Sequence, residues 1–170
     1  MQDVKSKQDA AAAPMGRTEH RELTVPADTT YLAAVRQAVM EVVGEGLFTP
    51  VKANLIALAV DEAVANIMEH AYPPPPRNGN EIQVVLDLTP ARFMVLIRDK
   101  GVGFDPRDMP DVDMKEHVKA GRKGGLGIFL IRRIMDEINY TYKQGVHNEL
   151  QLIKYVDDGT DKNKNKVPPQ

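Results

Sequence analysis

The sequence predicts an α+β fold, a two-layer sandwich in which helices cover one face of a mixed, mostly antiparallel sheet. Segments with alternating apolar residues are typical of strands, and segments with apolar residues three and four positions apart are typical of helices. The two kinds follow one another as strand, two helices, two strands, long loop, helix and two strands, which is an order that favours this class. A chain of 170 residues, 42% of them hydrophobic, is enough for one domain with a buried core.

The chain is expected to open with a strand and an amphipathic helix. The alternating segment RELTVPAD, residues 21–28, predicts the strand. The helix is expected over residues 28–45, with Asp28 as its N-cap, because apolar residues recur there at helical spacing. Its apolar stripe has two interpretations, packing on the sheet or a homodimer surface, and the sequence does not decide between them.

A second, longer helix is predicted over residues 49–72. Thr49 is a suitable cap, and Pro50 fits the first helical position, where its missing N–H is not needed. The proline run 73–76 ends the helix because proline cannot continue it. This run fits a stiff connector better than a ligand for a proline-binding module.

The second half of the chain predicts two strand pairs on either side of a loop and a third helix. The loop, residues 101–125, is rich in glycine and charge and has no sustained period, which is typical of a functional loop. The helix is expected over LGIFLIRRIMDEI, residues 126–138. The four strand segments span residues 81–89, 92–100, 139–145 and 148–156.

The polar ends of the chain, 1–19 and 157–170, are predicted to be disordered tails around a domain at 20–156.

Composition narrows the classes of function. The chain has no cysteine and four scattered histidines, so thiol chemistry is excluded and a zinc site is not expected. A net charge of -2 favours neither nucleic acid nor an anionic membrane as a partner, and the absence of a long apolar run predicts a cytoplasmic protein.

The second helix carries polar residues beside its expected packing stripe. At about 100° per residue, Glu62 and Asn66 lie one turn apart on one face, whereas Asp61 is expected to point toward solvent. An unpaired, half-buried carboxylate costs free energy, so these side chains need a partner or a ligand. Capping of a neighbouring loop and binding of a ligand both remain open from this helix alone.

Two further stretches supply complementary chemistry. Asp99 ends a strand just before Gly101 and Gly103, where it can accept a hydrogen bond from an exocyclic amine, although a plain turn is also compatible. The segment GRKGGLG places glycines, with accessible backbone N–H groups, at the start of a helix, where they favour binding of an anion. A glycine-rich helix start without a ligand is the alternative. Together with Glu62 and Asn66, the three stretches form the set of groups that an ATP site with Mg²⁺ needs.

The stretches DEAVANIMEHAY, IRDKGVGFDP and GGLGIFLIRRIMDEINY resemble, in order and spacing, three motifs of the GHKL (Bergerat-fold) ATPases. Within that superfamily the chain resembles the anti-sigma factor serine/threonine kinases over about residues 20–156. The resemblance implies that Glu62 is the general base, that Asn66 coordinates Mg²⁺, and that Asp99 reads the adenine amine. It also implies an ATP lid at 104–123 and further nucleotide-binding residues, which are Gly101, Gly103, Arg122, Lys123, Gly124, Gly125, Leu126 and Gly127.

The resemblance also implies a function. Its members phosphorylate a small STAS-type anti-sigma factor antagonist at a serine or threonine and bind a sigma factor, with ATP and Mg²⁺ as cofactors. A second hypothesis is a module that binds ATP and a partner without phosphotransfer. A histidine kinase fragment is disfavoured because residues 1–19 leave no room upstream for a phosphoacceptor hairpin.

Overall fold

Five antiparallel strands and three helices form two layers in the computed structural model, which describes residues 17–44, 46–72, 79–103, 105, 126–143 and 146–157. The sheet has the order β1-β2-β3-β5-β4, and every pairing between neighbouring strands in these ranges is antiparallel. The predicted fold class is therefore confirmed. The elements are β1 (Glu19–Pro26), a 3-10 turn (Thr29–Tyr31), α1 (Leu32–Val43), α2 (Pro50–His70), β2 (Glu81–Leu88), β3 (Arg92–Asp99), α3 (Gly127–Ile134), β4 (Glu137–Lys143) and β5 (His147–Tyr155).

The predicted start of α2 is confirmed, whereas α1 begins at Leu32, four residues after its predicted cap Asp28. The Asp28 side chain accepts a hydrogen bond from the backbone N–H of Thr30 at 2.8 Å, although it caps the short 3-10 turn that leads into α1. Thr49 caps α2 by accepting from the N–H of Lys52 at 3.3 Å, and Pro50 occupies the first turn. These caps satisfy amides that have no partner inside the helix.

The core lies between the helices and one face of the sheet. Alternate residues of β2 and β3 are buried on this face, because successive side chains of a strand point to opposite sides. They are Ile82, Val84, Leu86, Leu88, Phe93, Val95 and Ile97. The apolar stripe of α1 is buried with them, at Val35, Ala38, Val39, Val42 and Val43. Packing on the sheet therefore accounts for this stripe without a dimer.

The third helix is shorter than predicted. It ends at Ile134 rather than at residue 138, and Glu137 already begins β4. Ile138 pairs with Leu152 of β5, and the Asp136 N–H donates to Ile153 O at 2.8 Å. Pairing with β5 thus overrides a helical pattern that the sequence continues for another turn.

The proline run and most of the predicted lid and tails lie outside the described residues, so the boundaries 1–19, 20–156, 157–170 and 104–123 stay predictions. Residues 17–19 are described, and Glu19, which was assigned to the N-terminal tail, begins β1. Within the described part of the chain, no helix has the length and apolar character needed to cross a membrane.

Candidate active site

Residues of α2 and α3 that are distant in sequence meet at one place. Glu62 and Asn66 lie one turn apart and half-buried on α2, as predicted. A Cβ atom on Gly127, the first residue of α3, would lie 2.5 Å from Glu62 Oε2 and 3.3 Å from Asn66 Nδ2. Glycine at this position therefore lets the start of α3 approach the two polar side chains. The structure brings these three predicted site residues together.

The packing face of α2 differs from the predicted one. At about 100° per residue the buried side chains cover an arc of roughly 200°, and Glu62 and Asn66 lie outside it. Leu55, which shares the face of Glu62 and Asn66, is 42% exposed. The arc is this wide because α2 packs against α1, α3 and the sheet. Its buried residues are Ala53, Ile56, Ala57, Ala59, Val60, Asp61, Ala63, Val64, Ile67 and Met68.

The expectation that Asp61 faces solvent is wrong. Asp61 is only 8% exposed, and its Oδ2 forms an ion pair with Arg36 of α1. Burial raises the pKa of the Asp61 carboxyl, while the hydrogen bond and the charge of Arg36 act in the opposite direction. This carboxylate has a structural partner, so a ligand is not needed to explain it.

Asn66 has the properties that a magnesium ligand needs. It makes no hydrogen bond with the described residues, and of its two amide atoms only Nδ2 is a buried atom without a partner. The amide oxygen therefore remains available. The described residues contain no group of three or more His, Asp or Glu side chains placed to hold a metal. An ion here would fit Mg²⁺, which accepts one protein oxygen and keeps waters and phosphate oxygens as its other ligands.

Asp99 ends β3 as a buried carboxylate with one occupied oxygen. It is 5% exposed, and Oδ1 accepts from the N–H of Gly101 at 2.8 Å and from Nδ2 of Asn148 at 3.0 Å. No other described residue donates to this carboxylate, so Oδ2 remains able to accept. Burial raises the pKa of Asp99, whereas these two hydrogen bonds and the charge of His147 act to lower it.

The glycines after Asp99 have neighbours of their own in the fold. A Cβ on Gly101 would lie 2.7 Å from Cβ of Ala71, the residue that caps the end of α2. The next N–H, of Val102, donates to Ala71 O at 2.7 Å. A Cβ on Gly103 would lie 3.0 Å from Tyr142 Cδ2. Contact with the end of α2 and with β4 thus accounts for both glycines, and their role as nucleotide-binding residues stays a prediction.

Sequence reasoning missed two residues around Asp99. Asn148 is 1% exposed and lies directly opposite Asp99 in the β3–β5 pairing. The alternation with Leu150 and Leu152 was a signal for it, because the same phase places Asn148 on the buried face. The other residue is Tyr72, whose hydroxyl accepts from the Lys100 N–H at 3.1 Å.

Several predicted site residues lie outside the described part of the chain. These are Arg122, Lys123, Gly124 and Gly125, which precede α3. Leu126 is described and occupies the N-cap position of α3, where its apolar side chain cannot accept a hydrogen bond from the first amides. His70 is exposed at the end of α2.

A cavity of about 370 Å³ opens on the other face of the sheet. Thr24, Gln83 and Arg98 line it and form one row across β1, β2 and β3. Asp99 also lines this cavity, but its partner Asn148 belongs to the helix-facing row. Neither Glu62 nor Asn66 lines this cavity.

The sequence profile of the histidine kinase-like ATPase domain matches residues 25–154. The chain belongs to this ATPase family. It is 30% identical over 146 residues to the serine-protein kinase RsbW of Bacillus thuringiensis (strain Al Hakam), with 84% of this chain and 88% of that protein covered. The RsbW of Bacillus cereus (strain AH187) is 29% identical over the same length.

A solved structure shares the fold of this ATPase-family chain. It contains the RsbU and RsbW domains of a Mycobacterium tuberculosis protein and superposes with a TM-score of 0.54 at 15% identity. The match covers 79% of this chain and 31% of that longer one. The predicted resemblance to GHKL ATPases of the anti-sigma factor kinase type is confirmed by the family match and the relatives.

Proposed function

We propose that this protein is an ATP-dependent serine/threonine kinase of the anti-sigma factor type, which phosphorylates an anti-sigma factor antagonist and sequesters a sigma factor. The observation that carries the proposal is the meeting of Glu62 and Asn66 with the first residue of α3. The relatives named serine-protein kinase RsbW support the same class of activity. The proposed partners are a STAS-type antagonist and a sigma factor, and the cytoplasmic location and a homodimer stay predictions.

The proposed roles divide the site into a reactive end, which holds the phosphates, and a base end, which holds the adenine base of the nucleotide. At the reactive end, Glu62 is the general base and the Asn66 amide oxygen is a ligand for Mg²⁺. Backbone N–H groups of residues 124–127 would orient phosphate oxygens, since a helix start favours anions, and Arg122 and Lys123 would add positive charge. At the base end, the free Oδ2 of Asp99 would accept a hydrogen bond from the adenine amine, beside Gly101 and Gly103.

Phosphoryl transfer at such a site depends mainly on positioning and charge neutralisation. Bound Mg-ATP supplies the γ-phosphoryl group and a cation that offsets its charge. Glu62 accepts the proton of a serine or threonine hydroxyl on the partner as the new O–P bond forms and the bond to ADP breaks. A general base of this kind contributes a factor of roughly 10² to 10⁴ in rate.

The test is phosphotransfer from labelled Mg-ATP to a STAS-type antagonist from the same organism. Glu62→Gln is expected to lower the transfer rate by roughly 10² to 10⁴ while the ATP dissociation constant changes by less than about fivefold, because the base acts mainly in the transition state. The matched control is Glu69→Gln, an exposed glutamate on the same helix, which is expected to leave both quantities unchanged.

Two other results would contradict the proposal, one for the kinase activity and one for the role of Glu62. Wild-type protein that binds Mg-ATP and the partner without transferring phosphate would favour the second hypothesis, a non-catalytic partner-switching module. Equal transfer by wild type and Glu62→Gln would remove Glu62 from the proposed role.

A further inference from the structure

Asn148 links three parts of the base end through one amide group. It lies on β5 opposite Asp99, and its Nδ2 donates to Asp99 Oδ1 at 3.0 Å and to the backbone carbonyl of Gly101 at 3.1 Å. Both N–H bonds of the amide are therefore used. The residue ties β5 to the end of β3 and to the turn that follows it.

These contacts fix which way the amide points. Two acceptor oxygens face the nitrogen, and turning the amide over would place a third acceptor against them. The Asn148 Oδ1 is consequently a buried acceptor with no hydrogen bond from the described residues. Leaving such a group unpaired costs about 1–3 kcal/mol. The asparagine therefore leaves one buried acceptor without a partner in the described part of the chain, while its two N–H groups are both used on Asp99 and the turn after it.

Building on the proposed nucleotide site, we propose that Asn148 is a positioning residue that holds Asp99 as an oriented, acceptor-only carboxylate and thereby restricts the base end to 6-amino purines. Asn148 and the Gly101 N–H together occupy Oδ1. Oδ2 is then the atom that meets the base. An exocyclic amine donates to it, whereas a 6-keto oxygen places a second acceptor against it.

Loss of Asn148 changes Asp99 in two ways. The carboxylate loses one of the two hydrogen bonds that orient it, and burial then favours its neutral form further, because one of the hydrogen bonds that lower the Asp99 pKa is gone. A neutral carboxyl has an O–H that can donate to a keto oxygen. His147 on β5 and Tyr72 after α2 are the other titratable groups that interact electrostatically with Asp99 in the described part of the chain.

The experiment measures dissociation constants of Mg-ATP and Mg-ITP for the full chain by calorimetry, between about pH 5 and pH 9. ITP differs from ATP in having a 6-keto group. Asn148→Ala is expected to weaken ATP binding by roughly 10- to 100-fold, the equivalent of one charge-assisted hydrogen bond, and to weaken ITP binding much less. The loss of ATP affinity on acidification is expected to begin at a higher pH in the variant than in wild type.

Three additional variants separate positioning from a merely structural role. Asn148→Thr keeps a hydroxyl donor in a residue that suits a strand, and it is expected to give an intermediate ATP-to-ITP ratio even if the alanine variant does not fold. Asn139→Ala on β4 is the matched control, because among the described residues its amide donates to Gln151 and not to Asp99; it should change neither the ATP-to-ITP ratio nor the pH dependence. His147→Gln in both backgrounds removes the neighbouring imidazole, whose charge acts on Asp99.

The results distinguish this inference from the proposed function. If wild type binds no Mg-ATP, the proposed function fails and the inference fails with it. If wild type binds Mg-ATP but the Asn148 variants lose ATP and ITP affinity equally, with no change in the pH at which binding is lost, Asn148 has a structural role and the inference is overturned. The inference is also overturned if the Asn148 variants bind Mg-ATP and Mg-ITP with the same affinities as wild type.

Discussion

Gly127 lies so close to Glu62 that a Cβ atom at this position would sit 2.5 Å from the carboxylate oxygen Oε2. The start of α3 and the proposed general base on α2 therefore share one small space. Because the contact is with the end of a flexible side chain, a larger residue would displace the carboxylate more readily than the helix. We therefore expect a substitution of Gly127 to change catalytic activity more than folding stability.

Gly127→Ala tests this contact. We expect phosphotransfer to fall by roughly tenfold or more, because small displacements of a reacting group have large effects on rate. The unfolding free energy is expected to change by less than about 1 kcal/mol, since alanine also favours the helix. Transfer assays and urea unfolding measure the two quantities. A double-mutant cycle with Glu62→Ala is the control, because the closest contact of alanine at 127 is lost when the carboxylate is gone.

Asp99→Asn is expected to weaken Mg-ATP binding and to stabilise the fold at neutral pH. The folded-state pKa of Asp99 is raised above its ordinary value, so its contribution to stability is present below that value and is lost as pH rises through the folded pKa. At neutral pH the buried charge therefore costs stability, and asparagine, which keeps an Oδ1 acceptor, removes that cost. Urea unfolding at neutral and acidic pH checks this.

The advantage of Asp99→Asn is expected to shrink as the pH falls and wild-type Asp99 becomes neutral. A variant that is less stable than wild type at neutral pH would contradict the assignment of burial as the main influence on this carboxyl.

Arg36→Ala is expected to lower the unfolding free energy by roughly 1–2 kcal/mol, because Asp61 then stays buried without its cation. The estimate is at the low end for a buried pair, since the Arg36 side chain is 54% exposed and screened by water. Adding Asp61→Asn should recover part of the loss. Arg21→Ala, which breaks an exposed pair with Glu41, is the matched control and should cost less. A smaller loss for Arg36→Ala than for Arg21→Ala would argue against a structural role for Asp61.

Arg98→Met is expected to move acid unfolding to higher pH. The hydrogen bond from Arg98 is the main cause that lowers the pKa of Glu149 from 4.5 to about 2. The stability that Glu149 contributes is therefore present above its ordinary pKa and is lost as the pH falls toward about 2. Circular dichroism against pH measures the midpoint. Lys154→Met, which breaks the pair with Asp136, is the control and should shift the midpoint less.

The sequence predicted those features that depend on local spacing. Asp28 and Thr49 were found as caps because capping chemistry acts within a few residues. The shared face of Glu62 and Asn66 follows from helical periodicity alone.

The features that were missed depend on contacts between distant segments. Asp61 is buried because α1 brings Arg36 to it, and Ile138 joins a strand because β5 lies alongside. The neighbour of Gly101 is Ala71, about thirty residues earlier, and no local pattern reveals that approach. The burial of Asn148 was detectable from strand alternation, but its hydrogen bond to Asp99 was not.

The contact between the end of α2 and the turn after β3 sets a length scale for the site. The Val102 N–H donates a hydrogen bond to Ala71 O, and the Lys100 N–H donates to the Tyr72 hydroxyl. The C-terminal end of the helix that carries Glu62 is therefore hydrogen-bonded to the end of the strand that carries Asp99. The span from one carboxylate to the other is consequently a fixed property of the scaffold. A ligand that contacts both carboxylates must be long enough to reach from one to the other, so this junction selects ligands by their length.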